Sequence, residues 1–200
     1  SLSCSIPSGS LSAQQIAITS ALQVYTASGV VSYDDLQIQT LKPTNSPTIG
    51  QHTLTIVGSN MMTFSVSPTL RIGLTASPVT AWIASSSVIC RTPPGGYPNK
   101  DHAIVISMAN NVETSSGGFS YDAPIIVNAK WCRSKTANDG ALIDLQGSNF
   151  GSTDHSMSAE VGIVRCDSSQ WVSDSSISCS VSTGFDENTL LIAASEGNGR

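Results

Sequence analysis

Three histidines and five cysteines are the side chains of this 200-residue sequence that could carry nucleophilic or metal-binding chemistry. A catalytic triad needs a histidine within reach of a nucleophile and of an orienting acid. His52 stands at a strand start, and His102 and His155 end the unrelated turn-like phrases NKDH and STDH. No G-x-S-x-G, H-E-x-x-H or C-x-x-C motif occurs. We therefore expect no catalytic residue, no cofactor and no cofactor-binding residue.

Calcium binding would have to use the aspartates. Asp34, Asp35 and Asp122 follow a repeated Ser-Tyr phrase, and Asp139 and Asp154 lie in turn-like segments. Calcium takes six to eight oxygen ligands, so one or two carboxylates at each place are too few. Aspartate is also an ordinary turn residue. The sequence therefore predicts solvated turn aspartates and no metal site.

The surface chemistry is neutral and rich in hydroxyl groups. Charged residues make up 12% of the chain and the formal net charge is −5. Ser and Thr supply roughly a quarter of the residues, an unusually large share. The nine Lys and Arg residues are scattered and form no basic patch, so we expect no nucleic-acid partner. No signal peptide opens the sequence and no apolar run is long enough to span a membrane, so we expect no membrane insertion in this segment.

The many hydroxyl groups leave two interpretations open. They are typical of a soluble β protein with Ser- and Thr-rich turns, and equally of a secreted surface that carries O-linked glycans. No N-x-S/T sequon is present: Asn45 is followed by Ser46-Pro47, and no other asparagine fits the pattern. Any glycan would therefore be O-linked.

Short runs in which apolar and polar residues alternate predict the elements that must position these side chains. The runs are rich in Ile, Val and Thr: QQIAITS (14–20), HTLTIVG (52–58), HAIVISM (102–108) and ALIDLQG (141–147). Clusters of Ser, Gly, Asn and Pro separate them, and no segment keeps a helical period for three turns. The predicted fold class is all-β, with strands spaced as in β-sandwiches.

One pair of residue types recurs along the chain at a fixed spacing. Trp82 precedes Cys90 by eight residues, and Trp171 precedes Cys179 by eight. Cys4 fits the same frame, and the three cysteines are spaced by 86 and 89 residues. The tryptophans could stack on sugars, but a repeated position before a cysteine on an apolar strand favours the core of a sandwich. The spacing indicates a structural repeat.

Two further phrases recur with this period. A strand ends in Gly-Ser-Asn at 58–60 and again at 147–149, which places Gly58 and Asn60 in register with Gly147 and Asn149. The phrase GVVSYDDL (29–36) recurs as GGFSYDAP (117–124).

In this order, with the turn that follows Cys90, the phrases resemble the IPT/TIG domain. This is an immunoglobulin-like fold found in plexins, some transcription factors and many tandem extracellular arrays. The resemblance covers the whole chain and implies tandem immunoglobulin-like β-sandwiches.

The closing phrase is expected to be the last strand of each unit. Phe119 and Tyr121 should face the core, because alternate residues of a strand share a face. Pro124 should end the strand, because it has no N–H to donate. We expect three parts: residues 1–42 as the C-terminal part of one unit, 43–124 as a complete unit, and 125–200 as a unit without its last strand. A window cut from a longer array explains these ends, and strands supplied by a neighbouring chain are the alternative.

The resemblance also implies a disulfide. Cys166 and Cys179 lie on strands that this family often joins, so we expect that pair. In the unit 43–124, Ser77 stands at the position equivalent to Cys166, which leaves Cys90 without that partner. A pair between Cys90 and Cys132 is possible but weaker, and the unpaired cysteines could equally be buried thiols. A disulfide points to an oxidising compartment.

We expect a structural segment of an extracellular or cell-surface array of IPT/TIG domains. It would form a stalk or a self-assembling filament through copies of itself or adjacent repeats, and would carry O-linked glycans. The alternative is the ectodomain of a receptor or adhesin that binds protein or carbohydrate. The two interpretations share the same fold, because fold alone does not determine function.

Overall fold

The computed structural model describes residues 2–7, 9, 13–63, 66–95, 101–133, 141–154, 157–161, 164–181 and 192–196. These residues form strands and turns without a helix, which confirms the all-β prediction. No helix in this part of the chain could therefore cross a membrane.

The described strands are numbered in chain order. They are β1 (Gln14–Ser20), β2 (Gln23–Val31), β3 (Gln37–Lys42), β4 (Asn45–Ser46), β5 (Thr53–Ser59), β6 (Thr69–Ile72), β7 (Thr75–Ala76), β8 (Thr80–Ala84), β9 (Ser87–Arg91), β10 (His102–Met108), β11 (Asn111–Tyr121), β12 (Ile125–Arg133), β13 (Ala141–Ser148), β14 (Met157–Val161), β15 (Val164–Arg165), β16 (Ser168–Ser173), β17 (Ser176–Val181) and β18 (Ile192–Glu196).

The chain divides into two compact units. The first takes the described parts of residues 1–44, 52–93 and 101–119, and the second those of 45–51, 94–100 and 120–200.

In the first unit, strands β3, β5, β9 and β8 form an antiparallel four-stranded sheet in that order. Alternate side chains of β5 and β9 are buried, among them Leu54, Ile56 and Val88 at 0% exposure. This period of two is the pattern of a strand with one face on a core. Burying each such side chain stabilises the fold by about 1.5–3 kcal/mol.

The position of β3 differs from the boundary expected after residue 42. Its residues Gln37–Lys42 pair with β5, so this strand lies in the sheet of the complete unit. The sequence between the Ser-Tyr phrase and Pro43, LQIQTLK, is short, and only the pairing with β5 shows which unit it joins.

The other sheet of the first unit is built on the hairpin β10–β11, with β6 and β7 beside β10. Ile104, Ile106 and Met108 point to the core and are fully buried. Gly117 and Gly118 have φ angles of 82° and 99° where the register of the hairpin shifts. These glycines permit a backbone conformation that other residues adopt only with strain.

The hairpin β1–β2 repeats this geometry 88 residues earlier. Its register with the two-residue turn is the same, and its register shift also coincides with a glycine of positive φ, Gly29 at 73°. Ile16 and Ile18, which correspond to the buried Ile104 and Ile106, are 37% and 45% exposed.

The second unit contains the four-stranded sheet β12-β13-β17-β16 and the three-stranded sheet β15-β14-β18. Its apolar core draws on strands of both sheets, as in a β-sandwich. The core residues are Ile143, Leu145, Phe150, Met157, Ala159, Cys166, Ile177, Cys179 and Val181. The short strand β4 also belongs to this unit and pairs in parallel with Ser120 and Tyr121, the last residues of β11.

Candidate functional site

The Gly-Ser-Asn phrases form corners, which we call GSN corners: Gly58 to Asn60 after β5, and Gly147 to Asn149 after β13. A Cβ atom on Gly58 would collide with the carbonyl oxygen of Gln37 in β3, and a Cβ on Gly147 with that of Ile125 in β12. Only glycine lets the two strands approach this closely.

The asparagine of each GSN corner holds the segment that leads into the neighbouring strand. Asn60 and Asn149 have left-handed backbones, with φ of 58° and 64°. Asn60 Nδ2 donates a hydrogen bond to the carbonyl oxygen of Asp35 at 3.0 Å. Asn149 Nδ2 donates to the carbonyl of Ala123 at 3.3 Å. Asparagine suits the site because it tolerates positive φ and carries an amide donor.

Each corner is also tied to the turn of the following hairpin. The backbone N–H of Gly58 donates to the carbonyl of Ser86 at 2.9 Å, and that of Gly147 to Ser175 at 2.9 Å. Both corners thus use equivalent residues for equivalent hydrogen bonds, so the repeat seen in the sequence is a repeat of contacts.

The tyrosine of the closing phrase lies over a glycine of the same repeat. A Cβ on Gly95 would fall 2.5 Å from the Tyr121 ring, and one on Gly9 would fall 2.5 Å from the Tyr33 ring. The Tyr33 hydroxyl donates to the carbonyl of Pro7 at 2.8 Å. Phe119 and Tyr121 are buried, and Pro124 precedes β12 by one residue. The Ser-Tyr-Asp phrase therefore places a ring against a backbone turn where a side chain would not fit.

Cys166 and Cys179 form a disulfide, the pair that the family resemblance implies, with Cα atoms 5.7 Å apart. Cys179 is fully buried between the two sheets of the second unit. The bond joins the loop after β15 to strand β17.

Cys90 occupies the position of Cys179 in the first unit and is a free thiol. The weaker alternative, a pair with Cys132, is therefore not formed. Cys90 is 3% exposed in the core beside Ser77, and the side chain of Cys132 lies outside the described residues. Burial raises the pKa of the Cys90 thiol to about 11, and the hydrogen bond with Ser77 opposes this rise. Cys4 is free and exposed.

The two tryptophans lie on equivalent strands with their rings partly buried. Trp82 Nε1 donates to the carbonyl of Met61 at 2.6 Å. Trp171 packs against the core of the second unit, and its Nε1 is buried without a hydrogen-bond partner within the described part of the chain. Neither ring stands free on the surface as a stacking platform would.

Asp174 is a contact residue that sequence reasoning missed. Its Oδ1 accepts a hydrogen bond from the Thr48 hydroxyl at 2.6 Å and another from the N–H of Gly151 at 3.0 Å, all within the second unit. Ser85 occupies the equivalent place in the first unit. The aligned phrases ASSS (84–87) and SDSS (173–176) differ at two positions, and the difference between Ser85 and Asp174 was the signal.

A cleft of about 470 Å³ lies beside the first GSN corner, within the first unit. Tyr33, Asp34, Ser59, Asn60 and Ser85 contribute to its wall. Its wall combines hydroxyl and amide groups with one carboxylate and the apolar side chain of Met62, so polar and apolar surface both line it.

Reactive groups are dispersed in the part of the chain that the structure describes. No group of three or more His, Cys, Asp or Glu side chains is close enough there to hold a metal ion. The backbone N–H of His52 donates to Thr92 Oγ1 at 3.1 Å, and His102 lies next to Gly73. His155 falls outside the described residues.

The family model described as IPT/TIG domain matches residues 36–121 and 126–198. No curated protein matches the chain.

Among solved structures, the chain is similar to the plexin A4 extracellular region with domains 1 to 8. The identity is 15% over 82% of this chain and 18% of that one, with a TM-score of 0.39. A second plexin A4 structure, with domains 1 to 10, is 14% identical over 91% and 16% of the two chains, with a TM-score of 0.39. The I9-I11 tandem from titin is 9% identical over 94% and 70%, with a TM-score of 0.30. The chain thus spans less than a fifth of the plexin chains.

Proposed function

The chain belongs to the IPT/TIG domain family, and from that premise we propose that it is a structural segment of an extracellular domain array. The array assembles with copies of itself as a stalk or filament. The observation that carries this proposal is the repetition of the GSN corner. Each corner uses a Gly-strand approach, an Asn-to-backbone hydrogen bond and a tie to the next hairpin.

A corner of this kind favours a structural role over a binding role. The side-chain amides of Asn60 and Asn149 are occupied by the chain's own carbonyl groups. They fix the segments 34–36 and 122–124, which are only a few residues long. Short segments whose backbone is held by a hydrogen bond suit repeats that act as spacers.

The extracellular location is supported by the disulfide between Cys166 and Cys179, because such bonds persist in oxidising compartments. The glycan proposal is supported by the hydroxyl-rich surface. Thr26, Thr40, Thr75, Thr114 and Ser116 are all exposed on strands of the first unit. The glycans would be O-linked, since the sequence lacks an N-x-S/T sequon.

Sedimentation velocity of the 200-residue chain over a wide concentration range, combined with negative-stain electron microscopy, tests the assembly. We expect the mean mass to rise with concentration and rod-like or filamentous particles to appear. A monomer at every concentration would overturn self-assembly.

A second candidate, a ligand-binding ectodomain, is favoured by one observation, the cleft beside Tyr33 and Asp34, whose wall presents hydroxyl, amide and carboxylate groups. Titration with neutral oligosaccharides, followed by NMR of backbone amides, tests it. Shifts confined to the amides of the cleft, and abolished in the Asp34→Asn variant, would support a carbohydrate receptor. No shift at millimolar sugar would leave the structural role.

A further inference from the structure

Strand β11 leaves one edge of its sheet open. It pairs with β10 between residues 111 and 119. On its other side β4 pairs only with Ser120 and Tyr121. Within the described part of the chain, residues 111–118 therefore have no ladder partner on that side. The outward backbone N–H and C=O groups of such an edge are free to pair with another strand.

The features that usually guard an edge are missing from its first five residues. The register between β10 and β11 runs without a shift from Met108–Asn111 to Ile104–Ser115. The only charged residue in this stretch is Glu113, while Val112 is 63% exposed and Thr114 is exposed. By contrast, β12 carries two register shifts and the cations Lys130 and Arg133. Bulges and lysines of this kind are what prevent edge-to-edge association.

Among the described residues, the same open edge occurs in the preceding repeat. Residues Gln23–Ala27 of β2 pair with β1 in the register that Asn111–Ser115 adopt with β10. Val24 and Thr26 stand where Val112 and Thr114 stand and are exposed, and the stretch is uncharged. The unguarded edge thus recurs with the repeat.

We propose that this edge is an interaction surface for a second copy of the chain, and that β11 pairs antiparallel with β11 of that copy, centred on Thr114. The proposal rests on the self-assembly proposed above and specifies its contact. Centring on Thr114 places Glu113 opposite Ser115 and Val112 opposite Ser116. A pairing centred on Glu113 would instead set two carboxylates against each other, which is unfavourable.

The central pair is chemically suited to this position. Two threonines directly opposite each other on antiparallel strands form a favourable pair. The contact is two-fold symmetric and pairs two chains side by side. The length of the assembly then comes from the tandem repeats within each chain. Because β2 offers the same edge, successive repeats can contribute equivalent contacts.

Charge substitution tests the edge directly. Variant one carries Thr26→Lys and Thr114→Lys, and variant two carries Thr26→Glu and Thr114→Glu. The matched control carries Thr53→Lys and Thr69→Lys, which are exposed on the interior strands β5 and β6. Circular dichroism checks that all three fold, and sedimentation velocity measures association of the whole chain.

Like charges opposed across the edge should weaken association of each edge variant by about tenfold or more, whereas the control should match the wild type. An equimolar mixture of the lysine and glutamate variants should restore association, because opposite charges then face each other. Wild-type-like association of the lysine variant, or a mixture that stays monomeric, would overturn the edge pairing and leave self-assembly standing. A monomeric wild type would overturn both.

Discussion

At the scale of single residues, the two units differ at one equivalent position, where one has a cysteine and the other a serine. The disulfide Cys166–Cys179 of the second unit has Ser77 and Cys90 as its counterparts in the first. Ser77 Oγ lies 2.7 Å from the carbonyl oxygen of Arg91 and 2.8 Å from that of Val79, so its single O–H can donate to either. The first unit thus holds this segment by a side-chain hydrogen bond, whereas the second unit holds the equivalent segment by a disulfide.

A cysteine introduced at position 77 should form a disulfide like that of the second unit. We expect Ser77→Cys to form a disulfide with Cys90, because the two positions are equivalent to a pair separated by 13 residues in the sequence. A loop of that length gains about 3 kcal/mol in the chain-entropy account. Thermal unfolding with and without reductant, with Ser77→Ala as control, measures the gain. If the oxidised Ser77→Cys variant has one free thiol more than the wild type, the new cysteine is unpaired and positions 77 and 90 are not equivalent to Cys166 and Cys179.

Titration of Cys90 should appear in the pH dependence of stability. Burial raises the pKa of its thiol from 9.0 to about 11, so the fold favours the neutral form. This contribution is fully present below pH 9 and is lost as the pH rises through about 11. The free energy of unfolding should therefore fall more steeply over this range for the wild type than for Cys90→Ala. If the free energy of unfolding depends on pH in the same way in both proteins, folding does not raise the pKa of the Cys90 thiol.

At the scale of elements, the GSN corner joins strand pairing to the segment between repeats. The sequence predicted the corner as a strand end, because glycine and asparagine are turn residues. It could not predict that the Asn60 amide reaches the Asp35 carbonyl, because that contact spans 25 residues. The strand β3 was misplaced for the same reason, since its pairing with β5 is non-local.

The corner glycine should be sensitive to a single methyl group. Gly58→Ala would place a Cβ against the Gln37 carbonyl, and overpacking of this kind typically costs about 1–3 kcal/mol. Gly29→Ala is the comparison, because no atom lies within 4 Å of its Cβ position, so any loss there comes from its φ of 73°, whereas Gly58 does not have a positive φ. Urea unfolding of both variants measures the difference. A Gly58→Ala variant as stable as the wild type would mean that the close strand approach does not require glycine.

At the scale of the whole molecule, the low charge and the structural repeat are the properties on which the proposed self-assembly depends. The fold class and repeat could be read from the sequence because Trp82, Cys90 and the Gly-Ser-Asn phrases are local patterns that recur. The role of Asp174 could not, since its partner Thr48 lies 126 residues away. The open edges of β2 and β11 were likewise visible only once the strand order was known.

A structural role requires that the native protein associate with copies of itself. Arrays with unguarded edges in successive repeats, few charges and Ser- and Thr-rich surfaces should associate where they are secreted. Cryo-electron microscopy of untreated native material that contains this chain is the most direct test. We expect filaments or stalks with an axial repeat of one or two immunoglobulin-like domains, and density beyond the protein at exposed Ser and Thr side chains. Isolated, unassociated molecules at every concentration would contradict the structural account and favour a receptor or adhesin.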